Sequence, residues 1–377
     1  MVFLVILTHY LIFPLVICAL AGLRSKPQAK SDGYEPSVTL IIAAYNEEKV
    51  IAEKLHNSLA LDYPSQKLTI IVVSDGSTDS TARITESFSH AGVVSVHSPQ
   101  RRGKTAALNR AVNRAQGEVL VFSDANSFYR SDALRRLASW FSDPAIGGVT
   151  GRKAILENRE RESSQGDHFF WDFESRLKTA ESSFGSIPTG DGEIFAVRAT
   201  AFERLEEDLI NDDTAITLQL IERGLRVIYD PQAISEEQAS LTLEDDFCVK
   251  ARMVLGGFQI LTRYRRLFLP PKSLFALQFL IHKTLRHLMP LLLLGLLSLT
   301  IVLVITSQGI GYLYFLLLQI LFYGLALLGF GLRNYPVLGR ALYLPMYYCF
   351  MNLAALRGLF YFLKNADGIA VWQKAER

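Results

Sequence analysis

The feature that most constrains this chain is a run of 46 residues, 287–332, without one Asp, Glu, Lys or Arg. A helix of about 20 apolar residues crosses the hydrocarbon of a bilayer. The run therefore holds two spans, with Ser307-Gln308-Gly309-Ile310-Gly311 as the turn between them. A bundle in water would need a polar face on each helix, and this run has no charge with which to build one. Residues 1–23 are equally free of acidic and basic side chains and are followed by Arg24, Lys26 and Lys30. A cleaved leader has its basic residues before the apolar run and a small-residue site after it. Here the order is reversed, so a retained anchor is expected, with residue 24 onward in the cytoplasm. A weaker third C-terminal candidate, 341–363, carries Asn352 and Arg357. Residues 273–286 mix Leu, Phe and Ile with His282, Lys283 and Arg286, a composition that suits a helix lying in the interface. One anchor plus three C-terminal spans would leave the tail outside; a cytoplasmic tail needs one segment to be interfacial or re-entrant.

The expected organisation is an anchor at 1–23, a cytoplasmic domain at 31–271, an interfacial helix at 272–286, a membrane region at 287–364 and a tail at 365–377. This describes a multi-pass protein of the cell membrane, in contact with its lipid. A composition half hydrophobic and only 20% charged excludes a disordered chain. A net charge of +2 gives no electrostatic case for nucleic acid. Cys18, Cys248 and Cys349 are too far apart in sequence to suggest a disulfide framework or a zinc site.

Between 31 and 271 the pattern changes. Residues 37–44 (SVTLIIAA), 68–74 (LTIIVVS), 93–97 and 118–123 (EVLVFS) read as strands, and 48–60, 78–90, 104–115 and 131–141 as helices. That alternation predicts an α/β domain with a mostly parallel sheet covered on both faces. Ligands of such sheets gather at the carboxyl ends of the strands. Three polar clusters stand there: Ala44-Tyr45-Asn46-Glu47-Glu48, Ser74-Asp75-Gly76-Ser77-Thr78-Asp79, and Ser123-Asp124-Ala125-Asn126. Any one of them is ordinary turn or helix-start chemistry, but three at matching strand ends point to a site. Asp124 and Asn126 offer oxygen ligands to a hard cation, Mg2+ or Mn2+, whose other positions phosphates and water would fill. Asp75 is placed to accept from a base or a sugar. Arg101-Arg102-Gly103-Lys104-Thr105 ends like a phosphate loop, but Ser98 stands where that loop needs its first Gly. The basic residues at this helix start still suit a diphosphate.

These residues resemble the family 2 inverting glycosyltransferases, in particular the membrane-bound group related to polysaccharide synthases and to poly-N-acetylglucosamine and ceramide sugar transferases. The likeness rests on Tyr45-Asn46-Glu47, on Asp75, Gly76, Ser77 and Asp79, on Gly103, Lys104, Ala107, Leu108 and Asn109, and on Asp124 with Asn126 in place of a second Asp. It implies a GT-A-type nucleotide-sugar domain flanked by transmembrane helices, with a UDP-sugar as donor. Substrate contacts then fall to Ala44, Tyr45, Asn46, Glu47, Asp75 and Lys104, and the metal to Asp124 and Asn126. Thr189-Gly190-Asp191-Gly192-Glu193 is similar to the segment lining the acceptor pocket, which gives Asp191 and Gly192 to the acceptor. Asn211-Asp212-Asp213 matches the motif whose last Asp is the base, so Asp213 is the implied base and Asp212 its neighbour. Of the Gln-x-x-Arg-Trp motif only Arg252 is kept, which counts against a processive, channel-forming synthase and leaves Arg252 to neutralise the departing diphosphate. The implied acceptor is a hydroxyl of a lipid-linked or growing glycan. Trp372-Gln373-Lys374-Ala375-Glu376-Arg377 resembles the ending of related enzymes whose tail is cytoplasmic. Two rivals are an ATP-driven membrane protein, against which the failed phosphate loop argues, and a silent sugar-nucleotide-binding partner of another synthase.

Overall fold

The computed structural model describes residues 1–24, 31, 33–156, 164–238, 242–271, 273–306, 309–333, 335 and 338–364. Lys26, Lys30, Ser307, Gln308 and the tail 365–377, which carried parts of the topology reading, lie outside the described residues.

The expected strands form at Val38–Ala44 (β1), Leu68–Asp75 (β2), Val93–Ser98 (β3) and Val119–Asp124 (β4), all parallel to their neighbours in the order β3-β2-β1-β4. Every residue of β1 is buried. Its alternate side chains enter two different layers, as a strand covered on both faces requires. Leu40 and Ile42 pack with Ile51, Leu55 and Leu134, while Ile41 and Ala43 pack with Ala107, Leu108 and Leu218.

The sheet does not stop there. Phe128–Tyr129 (β5), Ile146–Leu156 (β6), Phe195–Arg198 (β7) and Arg226–Gln238 (β8) extend it to eight strands among the described residues, in the order β3-β2-β1-β4-β7-β6-β8-β5. Strand β7 runs antiparallel to β4 and β6, β6 and β8 pair parallel, and β5 is antiparallel to β8. The domain is thus α/β with a mixed, mostly parallel sheet.

Three helices among the described residues are long and apolar enough to cross a membrane: Val2–Ala21, Leu274–Thr306 and Ile310–Gly331. The segment expected as a separate interfacial helix is the start of Leu274–Thr306. It runs through a π-helical turn at Leu280–Thr284 and docks on the soluble domain. Phe279 stacks on Phe268 at 4.1 Å between ring centroids, and Gln278 donates to the Ser186 carbonyl at 3.1 Å. Helix Leu338–Leu363, expected as a further span, falls outside the three. It lies against helix Leu243–Arg263 so closely that a Cβ on Gly358 would come within 2.5 Å of the Ala251 carbonyl oxygen. Tyr347 donates its hydroxyl to Asp246 at 3.0 Å across the same contact.

Candidate active site

Each sequence cluster is set by the strand it follows. After β1, Asn46 takes a positive φ of 52°. Its backbone N–H donates to Ser77 Oγ at 3.1 Å, and its side-chain carbonyl accepts from the Thr78 N–H at 2.9 Å. The Glu47 N–H donates to Thr81 Oγ1 at 2.7 Å. These bonds tie the end of β1 to the loop after β2. Asp79 accepts from the Thr81 N–H at 3.0 Å, an Asx-type turn just before the helix Thr81–Ser87.

Asp75 does not face open solvent. One carboxylate oxygen accepts from the Arg102 and Gly103 N–H groups at 2.9 and 2.7 Å, and the other pairs with Arg110 at 2.6 Å. In this structure it anchors the 101–103 loop. Gly76 beside it has φ of +70°, and a Cβ there would sit 2.8 Å from the Arg101 backbone nitrogen. Arg101 lays its guanidinium over the Tyr45 ring at 3.6 Å, and Arg102 turns away to Glu207 at 2.5 Å. Of the three basic residues at this helix start, Lys104 is the one that enters the cleft.

Lys104 Nζ lies 2.8 Å from Asp124 Oδ1 and 3.8 Å from Asp212 Oδ2. Burial alone would lower its pKa, but Asp124 and Asp212 outweigh burial and hold it above its usual value. Arg252, from helix Leu243–Arg263, is lowered by burial against the partial support of Asp124 and Asp212. Gly192 borders the same space. A methyl group there would touch Lys104 Nζ at 3.4 Å, Asp213 Cβ at 3.5 Å and Asp212 Oδ2 at 3.8 Å, so glycine leaves that volume open.

Asp212 and Asp213 open the helix Asp212–Glu222, whose positive end favours carboxylates. Asp212 points toward Lys104, while Asp213 accepts from the Thr214 N–H at 2.6 Å. Burial, and then the neighbouring Asp212, push the Asp213 carboxyl up to about 7. Asp191 forms a buried ion pair with Lys178 at 2.5 Å.

Lys104, Asp124, Asp191, Gly192, Asp212, Asp213 and Arg252 line one cavity of about 620 Å³. Ala44, Tyr45, Asn46, Glu47 and Asp75 stand at the same sheet edge but outside that lining, as does Asn126. The cavity also reaches His9 and Tyr10 of the N-terminal helix and Tyr347 and Tyr348 of helix Leu338–Leu363.

Among the described residues no three His, Cys, Asp or Glu side chains gather as a metal cage. A cation here would rest on Asp124 and on Asn126, whose amide nitrogen donates to Glu237 at 2.8 Å. The amide oxygen is on the other arm of that group, so the donor set fits a hard ion that draws its remaining ligands from phosphate and water. The loop carrying Asn126 is braced from below by Lys54. This fully buried side chain donates to the Ser127 carbonyl and lies 4.2 Å from the centre of the Tyr129 ring. Burial brings its pKa down to about 7.

Sequence reasoning missed Lys153, Glu174, Lys178 and Glu237. Glu174, Lys178 and Glu181 recur at helical spacing on one face of helix Ser164–Ser182, and charges on a face that helical periodicity would bury were the available signal.

Residues 39–206 match the sequence model of the glycosyl transferase family 2. The match takes in β1 to β7 and stops before β8, so the likeness to that family is to these residues. It is 29% identical over 250 residues to the poly-beta-1,6-N-acetyl-D-glucosamine synthase of Staphylococcus aureus, covering 64% of this chain and 59% of that synthase. It is 28% identical over 241 residues to the beta-monoglucosyldiacylglycerol synthase of Nostoc, covering 62% of this chain and 51% of the other. The chain thus spans little more than half the length of these relatives. The same fold, at 23% identity and a TM-score of 0.72, is found in the Pyrobaculum calidifontis mannosyltransferase PcManGT in complex with GDP-Man and Mn2+, covering 97% of this chain and 98% of that one. With its apolar helices on either side, the domain has the fold expected from sequence, an α/β domain with a mostly parallel sheet flanked by helices long enough to cross a membrane.

Proposed function

We propose that this chain is a membrane-bound inverting glycosyltransferase. It moves a sugar from a UDP-sugar to a hydroxyl of a lipid-linked or growing glycan acceptor. The observation that carries the reading is the cavity that joins Asp213, Lys104, Asp124 and Arg252 to residues of the N-terminal helix and of helix Leu338–Leu363. The two relatives' names, one a polysaccharide synthase and one a glycolipid synthase, support both acceptor classes.

In this reading Asp213 takes the proton of the acceptor hydroxyl. The oxygen then bonds to the anomeric carbon from the face opposite the diphosphate, and the bond from that carbon to the diphosphate oxygen breaks. Lys104 and Arg252 receive the charge that builds on the leaving group. A divalent ion, Mg2+ or Mn2+, at Asp124 and Asn126 would supply further neutralisation of the diphosphate. Asp191, held by Lys178, and Gly192 shape the acceptor side. Asp75 and the Tyr45–Arg101 stack organise the loops on the nucleotide side.

The topology that goes with this is cytoplasmic. The N-terminal span enters the cytoplasm, Leu274–Thr306 and Ile310–Gly331 form a hairpin across the membrane, and Leu338–Leu363 lies along the interface against the domain. Three crossings return the tail to the cytoplasm, which removes the parity conflict of the sequence reading. A cysteine at Arg102→Cys, in a background with the three native cysteines replaced, should resist an impermeant thiol reagent on intact cells; labelling from outside rejects this orientation.

The function itself is tested with the full chain in detergent, supplied with a panel of UDP-sugars and GDP-mannose together with polyprenyl, diacylglycerol and oligosaccharide acceptors. Release of UDP with a mass-identified glycosylated product is expected. UDP binding without turnover across the panel would point instead to a silent partner of another synthase.

A further inference from the structure

The family pattern that this sequence resembles has a carboxylate where the chain has Asn126. The surroundings of Asn126 account for the change. Its side-chain nitrogen donates to Glu237 Oε1 at 2.8 Å. Glu237 is 2% exposed, and its other oxygen is clamped by Lys153. Lys153 also reaches Glu193 at 3.3 Å, and its ammonium lies 5.0 Å from the centre of the Trp171 ring. The clamp follows from strand register. Lys153 is opposite Ser235 and Ile155 is opposite Glu237 in the parallel β6–β8 pair, so Lys153 and Glu237 are diagonal neighbours on one face. Pairing of β5 with β8, Phe128 opposite Glu236, brings the turn that carries Asn126 alongside.

An amide has one donor end and one acceptor end, and an ionised carboxylate only accepts. With Glu237 fixed by Lys153, only the NH2 end of Asn126 can face it. We propose that Glu237, clamped by Lys153, is a positioning residue that turns Asn126 so that its carbonyl oxygen is presented to a divalent cation held with Asp124. This rests on the proposed metal role of Asp124 and Asn126. It also explains the residue type: a carboxylate at position 126 would put two negative groups at hydrogen-bond distance, where each opposes ionisation of the other.

The test is Mn2+ binding by the full chain with UDP present, read as the loss of the free-Mn2+ signal in electron paramagnetic resonance. Outer partners of metal ligands typically change affinity by about 10–100-fold when removed. Glu237→Gln should therefore weaken Mn2+ by about tenfold or more, because Gln accepts or donates and no longer selects one face of the amide. Asn126→Asp alone should also weaken it, although it adds a carboxylate. The double variant Glu237→Gln/Asn126→Asp should recover binding, because the Gln amide can donate to the new carboxylate. Tighter binding by Asn126→Asp alone overturns the proposal, and so does a double variant no better than Asn126→Asp. Position 126 is only half-buried, so the single Asn126→Asp variant decides the matter even if Glu237→Gln fails to fold. No Mn2+ binding by the parent would overturn the metal reading and the positioning together, whereas parent binding with uncoupled variants would overturn the positioning alone.

Discussion

Asp213→Asn is expected to lower kcat by a factor of about 10²–10⁴, the usual worth of a general base, while UDP affinity stays within about twofold, as for loss of an interaction made only in the transition state. The substitution keeps the size of the side chain and its bond from the Thr214 N–H but removes the ability to take a proton. Asp213 is the better candidate of the two adjacent carboxylates on geometry. Asp212 Oδ2 lies 3.8 Å from Lys104, on the side of the cleft where the diphosphate charge would sit. Successive residues of a helix point about 100° apart, so Asp213 faces another direction, where it accepts from the Thr214 N–H. Its pKa of about 7, raised by burial and by Asp212, sets the direction of the pH profile. The base is protonated and idle below that value, so kcat/KM should climb as pH rises through about 7 and level off above it. In Asp213→Asn that limb should vanish. Turnover and calorimetric UDP binding on Asp212→Asn and Asp213→Asn decide the assignment. A dead Asp212→Asn beside a normal Asp213→Asn would move the base one residue back.

The parallel half of the domain was legible in the sequence because its signals are local. Each of β1, β2 and β4 is a short, nearly unbroken apolar run with a polar cluster directly after it, and the last of those clusters contains Asp124, whereas Asp213 was marked by the resemblance alone. The half containing β6, β7, β8 and helix Ser164–Ser182 was not legible. Its strands owe their place to pairing with β4 and with one another over long sequence separations, and β8 carries Asp230, Glu236 and Glu237 among its apolar residues. Charge on a strand reads as surface in a sequence, yet Glu237 is buried because Lys153 on the paired strand meets it. Asp75 was legible as a polar residue at a strand end, but its partners Arg102, Gly103 and Arg110 were not, because they are 27, 28 and 35 residues away. The helices long and apolar enough to cross a membrane were legible as composition, whereas the packing of Leu338–Leu363 against Leu243–Arg263 was not.

The largest stability effect is expected at Lys178→Met. Lys178 is 1% exposed and pairs at 2.5 Å with Asp191, itself buried. Burial opposes its charge, but Asp191 and Glu174 outweigh burial and raise its pKa. Glu174 is a hub in its own right: burial would raise its pKa, yet Arg286, Lys283 and His282 together hold it well below the usual carboxylate range. Arg286 is 3.0 Å from it and His282 is 3.2 Å, so helix Ser164–Ser182 ties the base of Leu274–Thr306 to the loop that carries Asp191. Removing one partner of a buried pair leaves the other charge unpaired and costs about 3–5 kcal/mol, whereas replacing both with neutral groups of similar size is often nearly neutral. Thermal melting of the full chain in detergent should therefore fall sharply for Lys178→Met and recover most of the loss in Lys178→Met/Asp191→Asn. A single variant that melts with the parent would show that Asp191 finds another partner or takes up a proton. Because Asp191 borders the acceptor side in the proposed function, the double variant should fold and bind UDP yet show a raised KM for the acceptor. That separation of stability from acceptor affinity distinguishes a pair that shapes the pocket from one that only fills the core.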